Sequence, residues 1–487
     1  MKKLLFVHLP LVLVLYFSPA VVLTDVSAQV SPHIIDIIEQ SRASNSFWAV
    51  QVRDSNGNII ENYNGDRLIR PASNLKLVSS SAFLEVLGSD FRFETTLYGR
   101  GEQQGNRWRG DLIVRGTGDP TINGEFYDDP LFLFEKWYAV LDSMGITVVE
   151  GNLIGHDGYF DDVPYPRGWE WDDLSYYYAP EISALSFNFN VVDLEVLADG
   201  GPGSKPRIEW SPMNTPYVQF INEQMITPRG TRFNESYRRE LGSNIIYLRS
   251  TLPEGYYETE PLSVHNPTLY FVDTFKRYLQ MRGIDVRGQR LTDRSVYDWD
   301  AAGFIPIDTH ISGPLADLVS WLNVESDNFY TEMLLKTMAA EIRGVEGSTE
   351  LGLNVLKEFM HEHRFDTTTV ILRDASGMAP ATLLKIDDLN RFLYEIQDKP
   401  WFDTFYNSLP VSGYNGTLRH RFRNSPVSDG FNGKTGFVSG VRALSGYLTT
   451  ASGQSVVVTV ATNNYAVRTS VVDLIHERII EYIHNAY

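Results

Sequence analysis

No cysteine occurs anywhere in the 487 residues. Disulfide staples and thiol catalysis are therefore excluded. Stability must come from a buried core, which a chain of this length can supply. Excess basic charge is also lacking: 42 Lys and Arg stand against 61 Asp and Glu, a formal net charge of −19. That balance argues against nucleic acid or an anionic membrane surface as a partner. Beyond residue 28 no run approaches the ~20 apolar residues of a membrane span. Other motifs are missing too. No G-x-S-x-G nucleophile elbow is present. "GTGDP" (116–120) has no following P-loop lysine, so it does not predict phosphate binding. His361 and His363 stand two apart, on opposite sides of a helix, which suits no metal pair. No metal and no cofactor is expected.

The start of the chain has a distinct texture. Lys2 and Lys3 precede "LLFVHLPLVLVLYFSPAVVL", and "TDVSAQ" follows. A basic start, an apolar middle and a small-residue site predict a secretory signal peptide over residues 1–28, cleaved after Ala28. The alternative is an uncleaved membrane anchor, but Pro10 and Pro19 interrupt the run. A lipid-modified cysteine is excluded. The mature chain is expected outside the cytoplasm, in the periplasm, soluble or loosely membrane-associated.

The rest falls into an outer and an inner part. "SFWAVQVRDSNGNIIENYNG" (46–65) predicts a hairpin around Asn56-Gly57. In "RPASNLKLVSSSAFLEVLG" (70–88), Leu75, Val78, Ala82 and Val86 recur at helical spacing, and Gly88 is a terminator. Short strand-like runs dominate from about 95 to 304. Two helical stretches (131–146 and 266–284) interrupt them, each ending in glycine then isoleucine, a helix stop leading into an extended run. From 305 onward helices return, with a break near "VESDN". A second hairpin and an amphipathic helix close the chain. The economical reading is one α+β domain, residues 29–95 and 305–487, split by an insertion over 96–304.

Three short motifs carry the chemistry. Ser73 and Lys76 stand at i, i+3 on one helix face. A serine hydroxyl is a weak nucleophile until a base takes its proton. Lysine can be that base if burial or a neighbouring cation lowers its pKa. The bland alternative makes Ser73 a helix cap. Ser326-Asp327-Asn328 falls at the break between two helical patterns, where Ser326 could also be only a cap. Lys434-Thr435-Gly436 enters the C-terminal strand pair. In this order and context the three form the set found in serine β-lactamases and penicillin-binding proteins.

With these motifs in place, the chain resembles the D-alanyl-D-alanine carboxypeptidase/endopeptidase family, DacB-type penicillin-binding proteins of the class C low-molecular-mass group. "RGTGDPT" (115–121), "GWEWDDLSYYYAP" (168–180), "DASGM" (374–378), "LPVSGYNGTLRHRF" (409–422) and "GKTGFVSGVRALSGYL" (433–448) carry the resemblance across the mature chain. It implies a β-lactamase/transpeptidase-like domain, an antiparallel sheet with helices on both faces. Two nested, strand-rich smaller domains would form the insertion. It implies Ser73 as nucleophile, Lys76 as its base and Ser326, held between Lys76 and Lys434, as proton relay to the leaving amine. Lys434 and Thr435 would bind the substrate carboxylate beside Gly436, and Asn328 the peptide backbone. Lys434 would also help keep Lys76 neutral. The N–H groups of Ser73 and Phe437 are the candidate oxyanion donors. Peptidoglycan peptides are the implied substrates and β-lactams the implied inhibitors.

One departure stands out. Where the family continues Ser-Gly-Leu with serine and arginine, this chain has Ala379 and Pro380. The arginine is implied to hold the peptide side chain, so recognition of a charged side chain is open here. "WEWDD" (169–173) reads equally as a pocket wall or as aromatic packing. Two alternatives to the peptidase remain: a β-lactamase or esterase on the same scaffold, and a catalytically silent cell-wall-binding protein. The long insertion argues against the first and the intact motif set against the second. The balance of carboxypeptidase and endopeptidase activity is not legible.

Overall fold

The computed structural model describes residues 30–487, so the signal segment expected over 1–28 lies outside the described residues. The run FWAVQVR forms the strand Phe47–Arg53, buried along nearly its whole length. It sits second in a five-stranded sheet ordered Ile59–Tyr63, Phe47–Arg53, Ser455–Asn463, Val441–Thr449, Phe431–Val438. Every pairing in this sheet is antiparallel. Both hairpins expected from the sequence are present, and the two ends of the chain meet in one sheet.

"SVVVTVATN" shows why the C-terminal strand is a continuous apolar run instead of an alternating one. Val456 to Asn463 are buried on both faces, because helices cover the sheet on both sides. The helices Pro32–Glu39 and Thr469–Ala486 cover one face, packing Ile34, Ile475 and Ile479 against Val50, Val458 and Val460. Each such side chain, fully buried, contributes roughly 1.5–3 kcal/mol. Ile386, at the start of the helix Ile386–Glu395, packs on the other face against Ala49, Ala443 and Ala461.

The helix expected over 70–88 is observed as Lys76–Leu87, preceded by a 3₁₀ turn at Ala72–Leu75. It is not amphipathic. Lys76 to Leu84 are all buried, because the helix threads the middle of the helical layer. Three consecutive serines survive there by bonding back to the helix: Ser80 Oγ donates to Lys76 O at 2.6 Å and Ser81 Oγ to Leu77 O at 2.7 Å. Ser79 Oγ donates to Ala375 O at 2.8 Å, tying the helix to a loop that matters below.

A second, seven-stranded sheet carries the inserted segment. Its strand Glu94–Gln104 pairs with Arg107–Arg115 on one side and with Ile305–Ile311 on the other. The sequence reading grouped Ile305–Ile311 with the outer part; its whole pairing is with the inserted sheet. The repeated helix stop is structural. Gly145 (φ 72°) and Gly283 (φ 95°) follow the helices Phe132–Ser143 and Pro267–Met281. The strands after them, Val148–Val149 with Asp285–Val286 and Leu153–His156 with Arg290–Asp293, pair with each other in parallel. A layer of shorter strands, including Val191–Leu197 and Tyr257–Ser263, completes this region. The two regions share a core: Phe160, Ile182 and Ala184 pack with Phe83, Met333 and Met338. Lys336, buried, donates to Asp161 Oδ1 at 2.6 Å across the boundary.

Candidate active site

Two backbones close on the turn that carries Ser73. Gly436, in the edge strand Phe431–Val438, leaves no room for a side chain: a Cβ there would stand 2.6 Å from Pro71 O. Gly377, at φ +78°, would put a Cβ 2.0 Å from Ala72 O. Ala72 itself holds a left-handed φ of 47°, a costly conformation for a non-glycine residue. Pro71 caps the turn without any side-chain hydrogen bond. Ser73 is therefore free of capping duty, and its Oγ lies 2.9 Å from Lys76 Nζ.

Lys76 is fully buried. Its Nζ also donates to Asn328 Oδ1 at 2.6 Å and to the carbonyl oxygen of Ser376 at 2.9 Å. Burial pulls its pKa down to about 8, while the charges of Asp374, Glu332 and Asp327 hold it up. A neutral amine has two N–H donors and one lone pair. Asn328 Oδ1 and Ser376 O accept only, so they take both N–H groups. The lone pair then faces Ser73 Oγ, which is the geometry a general base needs.

Ser326 ends a π-helical turn, Leu322–Ser326, in a left-handed conformation (φ 64°). It is not the cap of the next helix, Asn328–Arg343. That cap is Asp327, whose Oδ1 accepts from Tyr330 N at 2.9 Å and whose Oδ2 accepts from Trp321 Nε1 at 3.1 Å. Freed of capping, Ser326 Oγ accepts from Lys434 Nζ at 2.6 Å. Ser326 makes no hydrogen bond to Lys76. Lys434, also fully buried, donates a second bond to Thr435 O at 3.1 Å. Burial pushes its pKa well down, reinforced by Lys76 and Arg442 and opposed by Glu325. Burial lowers Lys76, and repulsion between the two buried lysines, which acts on both alike, disfavours their being charged together.

The loop Asp374–Ala379 presents the Ser376 carbonyl to Lys76. Asp374, buried, accepts at Oδ2 from Ala379 N (2.8 Å), Ser376 Oγ (3.0 Å) and Trp169 Nε1 (3.1 Å). Its Oδ1 accepts from Thr382 Oγ1 at 3.1 Å. Glu332 Oε1 accepts from Ala375 N at 3.0 Å and Ser376 N at 2.8 Å. Burial and the Asp374 charge push the Glu332 pKa up to about 8. Its other oxygen, Oε2, is buried with no partner, which favours the protonated form.

These groups open onto a cleft of about 1130 Å³ lined by Ser73, Ser326, Asn328, Thr435 and Phe437. Lys76 and Lys434 lie beneath it. The far wall comes from the insertion. The two readings of "WEWDD" divide by residue: Trp169 packs with Ala179, Met378 and Ala379, whereas Glu170 and Asp173 line the cleft. Pro380 also lines it. The structure thus gathers at one cleft every residue singled out by the three motifs. Sequence reasoning missed Glu332, the role of Asp374 and the carbonyl of Tyr178, which accepts from Asn328 Nδ2 at 2.9 Å. A signal existed for Glu332, an acidic residue inside the apolar run "FYTEMLLKTM". A backbone carbonyl leaves none.

A five-stranded antiparallel sheet flanked by helices, with a serine and two buried lysines at its edge, defines a serine acyl-transfer fold. Comparison with known proteins is specific about which. The model of the D-Ala-D-Ala carboxypeptidase 3 (S13) family matches residues 30–483, and the chain belongs to that family. It is 29% identical over 439 residues to a D-alanyl-D-alanine carboxypeptidase of Actinomadura sp., covering 86% of this chain and 78% of that one. It is 25% identical over 451 residues to the D-alanyl-D-alanine carboxypeptidase DacB of Haemophilus influenzae, covering 89% and 88%. The crystal structure of penicillin binding protein 4 (dacB) from the same organism superposes with a TM-score of 0.82 at 24% identity, covering 93% of this chain and all of that one. A second structure of that protein, complexed with a β-lactam, superposes with a TM-score of 0.76. Among the described residues no helix is long and apolar enough to cross a membrane.

Proposed function

We propose that this protein is an exported, penicillin-sensitive serine D-Ala-D-Ala peptidase that acts on the stem peptides of peptidoglycan, as carboxypeptidase, endopeptidase or both. The observation that carries the reading is the Ser73–Lys76 contact of 2.9 Å with both other Lys76 acceptors in place.

The residues take the following roles. Ser73 Oγ attacks the carbonyl between two D-alanines, and its proton passes to Lys76. The tetrahedral oxyanion sits on the N–H groups of Ser73 and Phe437; losing one such donor typically costs ~10²–10³ in rate. Ser326 hands its proton to the leaving amine as the C–N bond breaks and takes one from Lys434, whose Nζ donates to its Oγ at 2.6 Å. Thr435, with Lys434 behind it, receives the substrate's terminal carboxylate. That anion restores the Lys434 charge that burial weakens. Asn328 meets the substrate backbone by exchanging the weak Nδ2 contact to Met378 Sδ (3.4 Å) for it. Water then attacks the Ser73 ester, its proton passing through Ser326 to Lys434, and Lys76 returns its proton to Ser73 Oγ as the ester C–O bond breaks.

The wall holding Glu170 and Asp173 favours a stem-peptide side chain that ends in an ammonium group. Release of free D-alanine from a pentapeptide stem tests the reading. Wild-type protein is expected to release it, and Ser73→Ala is expected to lose at least ~10⁴-fold. Release by the variant at the wild-type rate would contradict it.

A further inference from the structure

The direction of the Lys76 lone pair depends on two acceptors, and both are held from outside the motif set. The Ser376 carbonyl belongs to the loop organised by Asp374. One of that carboxylate's donors is the indole N–H of Trp169, at 3.1 Å, reaching across from the insertion. The Asn328 side-chain amide is turned by its Nδ2 bond of 2.9 Å to the carbonyl of Tyr178, also in the insertion. With Nδ2 committed there, Oδ1 faces Lys76 at 2.6 Å. Trp169 is only 9% exposed and packs with Ala179, Met378 and Ala379, with Tyr165 and Tyr178 against them. The segment is thus anchored by apolar contact and makes one polar contact to Asn328 and one to Asp374, which organises the loop carrying the Ser376 carbonyl.

Resting on the acyl-enzyme reading above, we propose that the Trp169–Tyr178 segment of the insertion is a positioning element of the acylation step. It fixes the two acceptors that take the Lys76 N–H groups and so aims the Lys76 lone pair at Ser73. Trp169 touches no substrate and no reacting atom. It acts through Asp374 and the Ser376 carbonyl. The sheet-bearing region contributes the reacting groups, and the insertion contributes their aim.

The test is the variant Trp169→Phe, which keeps an aromatic ring in the cluster and deletes only the N–H donor. Acylation by benzylpenicillin is followed over time by intact mass. Varying the drug concentration separates the non-covalent dissociation constant from the rate of the covalent step. Losing a hydrogen bond to a buried charged group is expected to slow the covalent step about tenfold, with the non-covalent constant within about twofold of wild type. The thermal midpoint separates a positioning role from a merely structural one and is expected to change little. A covalent step unchanged by the substitution overturns the proposal. So does a loss that appears wholly in the non-covalent constant, or one that follows a collapse of the thermal midpoint. Wild-type protein that forms no adduct removes the acyl-enzyme reading itself, and this inference with it.

Discussion

Two walls of the cleft differ in charge, and the turn that carries Ser326 adds Glu325 and Asp327 between them. On the sheet side stand Arg70 and Arg442, with Lys434 buried behind Thr435. On the insertion side stand Glu125, Glu170, Asp173 and Asp193. Their states differ as well. Arg442 is held by Asp473 at 2.6 Å and Arg70 by Asn464. Burial, with Glu170 and Asp172 nearby, raises the Asp173 pKa, and burial with Glu125 and Glu195 raises that of Asp193. A wall of crowded carboxylates is improved by an arriving cation, and a buried lysine by an arriving anion. Under the proposed function, the terminal carboxylate goes to the sheet side and the side-chain ammonium to the insertion side.

Removing the cation on the sheet side should have the largest effect. Lys434→Ala is expected to lower kcat/KM for a D-Ala-D-Ala peptide by about 100-fold, the upper range for a hydrogen bond to a charged group. The loss should shrink for the same peptide with its terminal carboxylate amidated. Equal losses for both peptides would break the assignment of that wall. Next comes pH. Lys76 acts as a base only when neutral, and its pKa lies at about 8. Acylation by benzylpenicillin should therefore rise with pH and level off above about 8, falling roughly tenfold per unit below it. A rate independent of pH between 6 and 9 would remove Lys76 as base. The smallest effect belongs to the insertion wall. Glu170→Gln and Asp173→Asn should each lower kcat/KM up to about fivefold for a stem peptide with a free side-chain ammonium, in keeping with partly exposed charge pairs. Acetylating that ammonium should cancel the difference. An unchanged preference would leave this wall a solvated face.

The same contrast explains what the sequence made legible. On the sheet side the chemistry is written in side chains at fixed spacing. Ser73 and Lys76, Ser326 to Asn328 and Lys434 to Gly436 were all readable, as was the split α+β architecture. Gly436 was readable as a motif letter, but its reason, the close approach of Pro71 O, needs the fold. The insertion works partly through backbone carbonyls and packing, and these leave no residue pattern. Tyr178 contributes a C=O that any residue would carry. The boundary at 305 left the strand Ile305–Ile311 with the outer part, whereas it pairs with Glu94–Gln104, because pairing partners are set by topology and not by local pattern. The burial of Ser80 and Ser81 in Lys76–Leu87 has no sequence signal, because it rests on back-bonding to the helix. Glu332 and Lys336 stand four apart, as a surface ion pair would. Both are buried and face different partners, Glu332 the Ala375–Ser376 backbone and Lys336 Asp161.

The most direct measurement is intact-mass spectrometry of the wild-type protein and Ser73→Ala after exposure to benzylpenicillin, with the modified peptide sequenced. The expected result is one adduct of the drug's mass on wild type, located on Ser73, and none on the variant. An adduct that persists on Ser73→Ala, or that maps to another residue, would contradict Ser73 as the nucleophile and with it the account of the site.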